Sequence, residues 1–277
     1  MQETGKNKAY HTLSLSIRLR ADGFSFFVCD LQTGSLMRGE HFALATGETM
    51  AKRLTTELSR SDYFNRQINQ AFVMTDTAST LVPLEEFRRE EVSQLYDFLF
   101  SQKQQKHRVA YTIMPHLEAV EVFAIDGDVE DAIVQYYPTA RFFGSQAMLI
   151  ERLARYSTEM DAANGHCLYC LSNPNTVTLM ALEQNRLLFA NTFDATNTAD
   201  SLFFVLGTWK QLGLDACEDT LMILEQRSHP DDELKHELEP YIANIVTLTP
   251  EQLFSDMPLS REVHVPLQLM ALLLNRF

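Results

Sequence analysis

Residues 13–30 read Leu13-Ser-Leu-Ser-Ile-Arg-Leu-Arg20, then Ala21-Asp22-Gly23, then Phe24-Ser-Phe-Phe-Val-Cys-Asp30. Leu13, Leu15, Ile17 and Leu19 alternate with Ser14, Ser16, Arg18 and Arg20, the period-two pattern of a strand. Asp22-Gly23 predicts a tight turn, because glycine tolerates the positive φ that short hairpins use. Phe24–Asp30 returns, Gln32-Thr33-Gly34 turns again, and Met37–Leu44 makes a third strand. The plan recurs at 166–192: His166-Cys-Leu-Tyr-Cys-Leu171, then Ser172-Asn-Pro-Asn175, then Thr176-Val-Thr-Leu-Met-Ala-Leu182, a Glu183-Gln-Asn185 turn, and Arg186-Leu-Leu-Phe-Ala-Asn-Thr192.

Outward from the first meander, Met50, Leu54 and Leu58 predict a helix over 48–60. A buried strand at 71–75, a charged helix at 85–100 and strands at 108–114 and 119–125 follow. Then come a helix at 128–136, a strand at 140–143 and a helix at 145–156. Outward from the second meander, a helix at 198–212 ends at Gly213. A strand at 219–225, a helix at 231–239 opened by Pro230, a strand at 241–248 and a terminal helix at 265–277 complete it. The second half therefore reads three strands, helix, strand, helix, strand, helix. The first half reads the same way with an insertion at about 76–118. Residues 128–143 share a rhythm with 232–246: an acid-led short helix, a proline near its end, an apolar strand. True duplication explains this, and so does chance, since helix-then-strand is common. A single α/β domain of another kind is the remaining alternative. Thr158–Gly165, polar and ending in Asn164-Gly165, divides the chain into residues 1–157 and 158–277.

The chain has 277 residues, 45% of them hydrophobic, enough for a sizeable core. Its formal charge of −14 opposes nucleic acid and anionic lipid as bulk electrostatic partners. No apolar run reaches the roughly 18 residues of a membrane helix. The polar start, Met1–His11, lacks a signal peptide's apolar core. Four cysteines suggest no disulfide framework. The expectation is a cytoplasmic protein.

The doubled layout resembles tandem ribonuclease-H-like subdomains, the actin-like ATPase fold. The chain also resembles an uncharacterised bacterial domain family assigned that fold. More distantly it is similar to the actin-like pilus and secretion assembly proteins, where a helix like 145–156 precedes a meander like 166–192. The resemblance implies an α/β chain with two mixed sheets flanked by helices. It also implies phosphate loops at the first turn of each meander, where an Asp organises magnesium and a Gly admits backbone N–H groups to the phosphates. Asp22 and Gly23 carry those letters in the first meander. They equally suit an ordinary hairpin. In the second, Asn173, Asn175 and Thr176 offer polar contacts without Asp or Gly, and Pro174 lacks an N–H. Asn and Pro are also ordinary hairpin residues.

Other constellations have plainer readings. Cys167 and Cys170 have C-x-x-C spacing, but residues three apart on a strand face opposite sides, so two core residues are expected. Asp126-Gly127-Asp128 with Glu130 and Asp131 opens like a calcium loop without its later ligands; an acidic helix start explains it. The eight histidines show no two-ligand helix spacing. Val263–Phe277 is apolar all round, so it is a closing core helix or a face for a partner or a second copy.

The sequence thus favours a non-catalytic binding or assembly module with degenerate phosphate loops and no expected cofactor or metal. The rival is an active ATPase or phosphotransferase of the actin or sugar-kinase type, using Mg-ATP with Asp22 or Asp76 in the cleft. An open cleft with convergent carboxylates favours the enzyme. One filled by Phe24, Phe26 or tyrosines favours the binding module.

Overall fold

The computed structural model describes residues 13–60, 68–100, 106–159, 166–183, 186–226, 232–255, 257–262 and 264–274. β1 (Leu13–Arg20) pairs antiparallel with β2 (Gly23–Asp30), and β2 with β3 (Ser35–Ala43). After α1 (Met50–Arg60), β4 (Ile68–Thr75) runs parallel along the free side of β1, and β8 (Arg141–Gly144) parallel to β4. The sheet order is β3-β2-β1-β4-β8.

In the second half β9 (Cys167–Asn173), β10 (Thr176–Glu183) and β11 (Arg186–Asp194) form the antiparallel meander. After α5 (Thr198–Gln211), β12 (Thr220–Leu224) lies parallel to β9 and β13 (Asn244–Leu248) parallel to β12. The order, β11-β10-β9-β12-β13, matches the first sheet position for position. α3 (Gly127–Tyr136) leads into edge strand β8 as α6 (Asp232–Leu238) leads into edge strand β13. Those are the two segments whose rhythm matched in the sequence.

Between β4 and α3 the first half carries a third sheet, order β5-β7-β6, from β5 (Ser79–Pro83), β6 (His107–Met114) and β7 (Ala119–Asp126). The strand at 119–126 belongs to this sheet. The helix expected at 85–100 shrinks to α2 (Val92–Phe100) after a 3-10 turn at Arg89–Glu91, and β5 occupies a stretch the sequence left unassigned.

Alternation along β1 explains the layers. Leu15 and Ile17 pack with Val28, Val73, Leu54 and Leu58 beneath α1 and α3. Ser14 and Ser16 face the other way, beside Cys29, Phe27 and Phe72, and are fully buried rather than solvated. That face meets a central core shared by both halves, holding α4 (Ala147–Glu159) and α8 (Leu267–Leu274). α4 is anchored to the second half where Arg152 Nε donates to the carbonyl of Leu253, at the end of α7 (Pro250–Leu253), at 2.7 Å. α8 is buried from Leu267 to Leu273, which makes the described part of the apolar tail core. Residues 263 and 275–277 of that tail lie outside the described residues. So do Met1–His11, residues 160–165 of the boundary segment, Gln184 and Asn185 of the turn, and Pro230 with Asp231 at the expected helix start. Among the described residues no helix is long and apolar enough to cross a membrane.

Candidate functional site

The face of β1 that holds Ser14 and Ser16 continues to Arg18 and Arg20, which pass beyond the central core into a cleft between the halves. The cleft encloses ≈ 550 Å³ and takes in both first-hairpin tips. Asp22, Asn173, Asn175 and Thr176 all line it; Gly23 does not. The first hairpin turns through Ala21-Asp22, since Arg20 pairs with Gly23. Neither turn residue has positive φ. Gly23 is instead a β2 residue opposite Ala43, and a Cβ there would stand 2.2 Å from the carbonyl oxygen of Phe42. The need for glycine comes from the close passage of β3 and from a φ of 157° that side-chain-bearing residues rarely adopt.

Each acid on the first half's side has its own arginine. Asp22 is gripped by Arg20 through Nε and Nη2, both at 3.2 Å. Asp76, just beyond β4, holds Arg18 Nε at 2.8 Å and Nη2 at 2.7 Å on one carboxylate oxygen. Its other oxygen, Oδ1, is buried and accepts no hydrogen bond. In the second half, Gln226 just beyond β12 occupies the place Asp76 has beyond β4, outside the cleft lining itself. Its amide donates to Asn173 Oδ1 at 3.0 Å and to the carbonyl of Ser172. Asn173 in turn donates to Thr176 Oγ1 at 3.3 Å. Gln146, at the head of α4, spans the floor and donates to Thr192 Oγ1 at 3.1 Å, which meets Thr178 Oγ1 at 2.9 Å. Phe24 and Phe26 do not fill the cleft; they are buried on the opposite face of their sheet. The charged lining is two arginines and three aspartates, with amides and hydroxyls for most of the remainder.

Behind the cleft wall lies Glu121, wholly buried on β7. Its carboxylate accepts from Ala147 N at 2.9 Å and Gln146 N at 3.4 Å, the first amides of α4. Burial pushes its pKa up. A charged residue inside the apolar run Ala119-Val-Glu-Val-Phe was the available signal for it. Arg18 and Arg20 could have been found by extending the serine face of β1. Gln226 left no trace in the sequence.

The remaining sequence candidates resolve as structure. Cys167 packs in the central core and Cys170 in the outer core, on opposite faces of β9. Burial raises the Cys167 thiol to about 12. Asp126 caps α3, accepting from Asp128 N at 2.9 Å and Val129 N at 3.0 Å. His166 lies far from this chemistry, between Glu183 (2.9 Å) and the nearly buried Asp219 (3.3 Å).

Residues 3–245 match a family described as Protein of unknown function (DUF3822). No curated protein matches the chain. Among solved structures, a Bacteroides thetaiotaomicron VPI-5482 protein described as having an actin-like ATPase fold and unknown function is similar. It has 24% identity, 96% coverage of both chains and a TM-score of 0.79. A PilM-PilN type IV pilus biogenesis complex is similar at 11% identity and a TM-score of 0.50, covering 95% of this chain and 98% of that one.

Proposed function

We propose a non-catalytic binding or assembly role for this chain, which belongs to the family described as Protein of unknown function (DUF3822) and has the actin-like ATPase fold. The observation that carries the proposal is the pairing with arginines of Asp22 in the first hairpin turn and Asp76 just beyond β4, opposite a hairpin closed by Gln226. A magnesium–triphosphate fits these residues poorly. Two charge-assisted hydrogen bonds from Arg18, each worth about 1.5–3 kcal/mol, already occupy one Asp76 oxygen, which leaves only the buried Oδ1 for a metal. Gly23 is committed to β3, so it offers no open backbone cradle. Pro174 removes a donor at the second tip. A lining of amides and hydroxyls, with three aspartates against two arginines, does little to attract a polyanion.

The cellular setting we propose is the cytoplasm; no disulfide joins Cys29, Cys167, Cys170 and Cys217. A fold like this one sits in the PilM-PilN complex, which lends support to an assembly role. Isothermal titration with Mg-ATP, paired with a phosphate-release assay, is the test. Neither binding heat at micromolar nucleotide nor turnover is expected, and micromolar binding with turnover defeats the proposal. Two features favour the second reading, an active ATPase or phosphotransferase. The cleft is open rather than filled by Phe24 or Phe26. Asp76 Oδ1 has an unused acceptor that could orient a water or hydroxyl. In that case Asp76→Asn abolishes the phosphate release.

A further inference from the structure

Two sheet edges face each other across a groove of ≈ 1030 Å³: β5, the outer strand of the inserted sheet, and β11, the outer strand of the second main sheet. The ladders on their far sides decide which backbone groups point into it. Leu84 N donates to Glu118 O at 2.7 Å, directly opposite in register. Alternation in an antiparallel ladder then turns Thr80 and Val82 toward β7, and Ser79, Leu81 and Pro83 outward. Pro83 has no N–H to present. On β11, Ala195 N donates to Asn175 O at 3.0 Å, so Asn191 and Phe193 turn toward β10 while Ala190 and Thr192 turn outward. The Thr192 N–H is already taken by Asn191 Oδ1 at 2.9 Å. Leu188, beyond Ala190, is the extra residue of a bulge. Leu81 and Ala190 thus present main-chain N–H and C=O groups to the groove from opposite walls. Among the described residues no backbone hydrogen bond crosses it.

Charge marks one end. Glu85 and Glu118 line the groove near Pro83, both exposed and neither in an ion pair among the described residues; Arg186 is the one base in the lining. The whole chain carries −14.

We propose that this groove binds an extended segment of a partner protein, inserted as an extra strand between β5 and β11, with a lysine or arginine at the Glu85–Glu118 end. Main-chain pairing supplies affinity, as in other strand additions, and the acids set direction and speed encounter. The proposal rests on the binding-module reading but uses a different surface. Mg-ATP turnover ends that reading of the cleft and leaves the groove intact, whereas a failed peptide selection does the reverse.

The test starts from a display library of random linear peptides selected against the full chain. Enriched sequences are expected to alternate apolar residues beside a lysine or arginine. A synthetic copy of the most enriched peptide should lose about tenfold or more in affinity when alternate amides are N-methylated, about 1.4 kcal/mol. The double variant Glu85→Lys, Glu118→Lys should lose a similar factor, with an unchanged circular dichroism spectrum. Hydrogen exchange at Leu81 and Ala190 should slow on binding. An absence of enriched peptides, indifference to N-methylation at every position, or protection confined to other strands overturns the proposal. So does sedimentation showing a dimer whose crosslinks join the two copies through β5 and β11.

Discussion

Glu121 sits on a strand of the inserted sheet, yet its carboxylate meets the first turn of α4, so one residue joins the insertion to the floor of the cleft. The fit is close: a Cβ at Gly144 would lie 2.2 Å from that carboxylate. Burial raises its pKa, against the opposing pull of the amide donors. The sign follows from linkage. In the unfolded chain the group releases its proton near 4.5, while the folded protein keeps it to a higher pH. Its contribution is therefore most favourable below 4.5 and diminishes as pH rises through the folded value. Glu121→Gln keeps the shape and an acceptor but does not titrate. Thermal unfolding across pH should show a steeper loss for the parent than for the variant as pH rises above about 4.5. Equal slopes would mean that the carboxylate is not confined as described.

At the scale of elements, period-two alternation made the meanders legible, because a strand's side chains must take opposite faces. β5 was harder to see. Ser79–Pro83 is five residues long and ends in proline, and its pairing partner β7 begins only at Ala119. The expected helix over 85–100 began late for a related reason. Leu84 is held by Glu118 O, and turns at Pro83–Glu86 and Leu84–Phe87 use up the residues that would have started it. The terminal apolar helix was ambiguous because an all-round apolar surface suits a core or a partner equally. Its placement between the sheets settles the described part as core. Leu272 is wholly buried there, and Leu272→Ala should cost about 2–5 kcal/mol, read as a lowered denaturation midpoint with unchanged slope. A loss below about 0.5 kcal/mol, typical of surface sites, would place the helix outside the core.

Over the whole molecule, each main sheet keeps a core on its outer face, but the inner faces share a third. Phe27, Phe72 and Met114 from the first half share one cluster with Tyr169, Met180 and Leu269 from the second. Breaking either half exposes this common surface, so unfolding should be a single cooperative event. Trp209, the only tryptophan, sits in the second half's outer core, while circular dichroism reports on every element. The two signals should give the same midpoint in urea; separate midpoints would contradict a shared core. The sequence alone determined the strand meanders, the recurring order of elements and the lack of an Asp-Gly pair in the second hairpin, because these are local matters of period, turn chemistry and composition. Only the tertiary structure decided that Arg18 holds Asp76, that Gln226 closes the second hairpin, and that β5 and β11 leave two edges facing each other. Each of those brings together residues distant in the chain or on different sheets, and no local pattern records which strand edge will meet which.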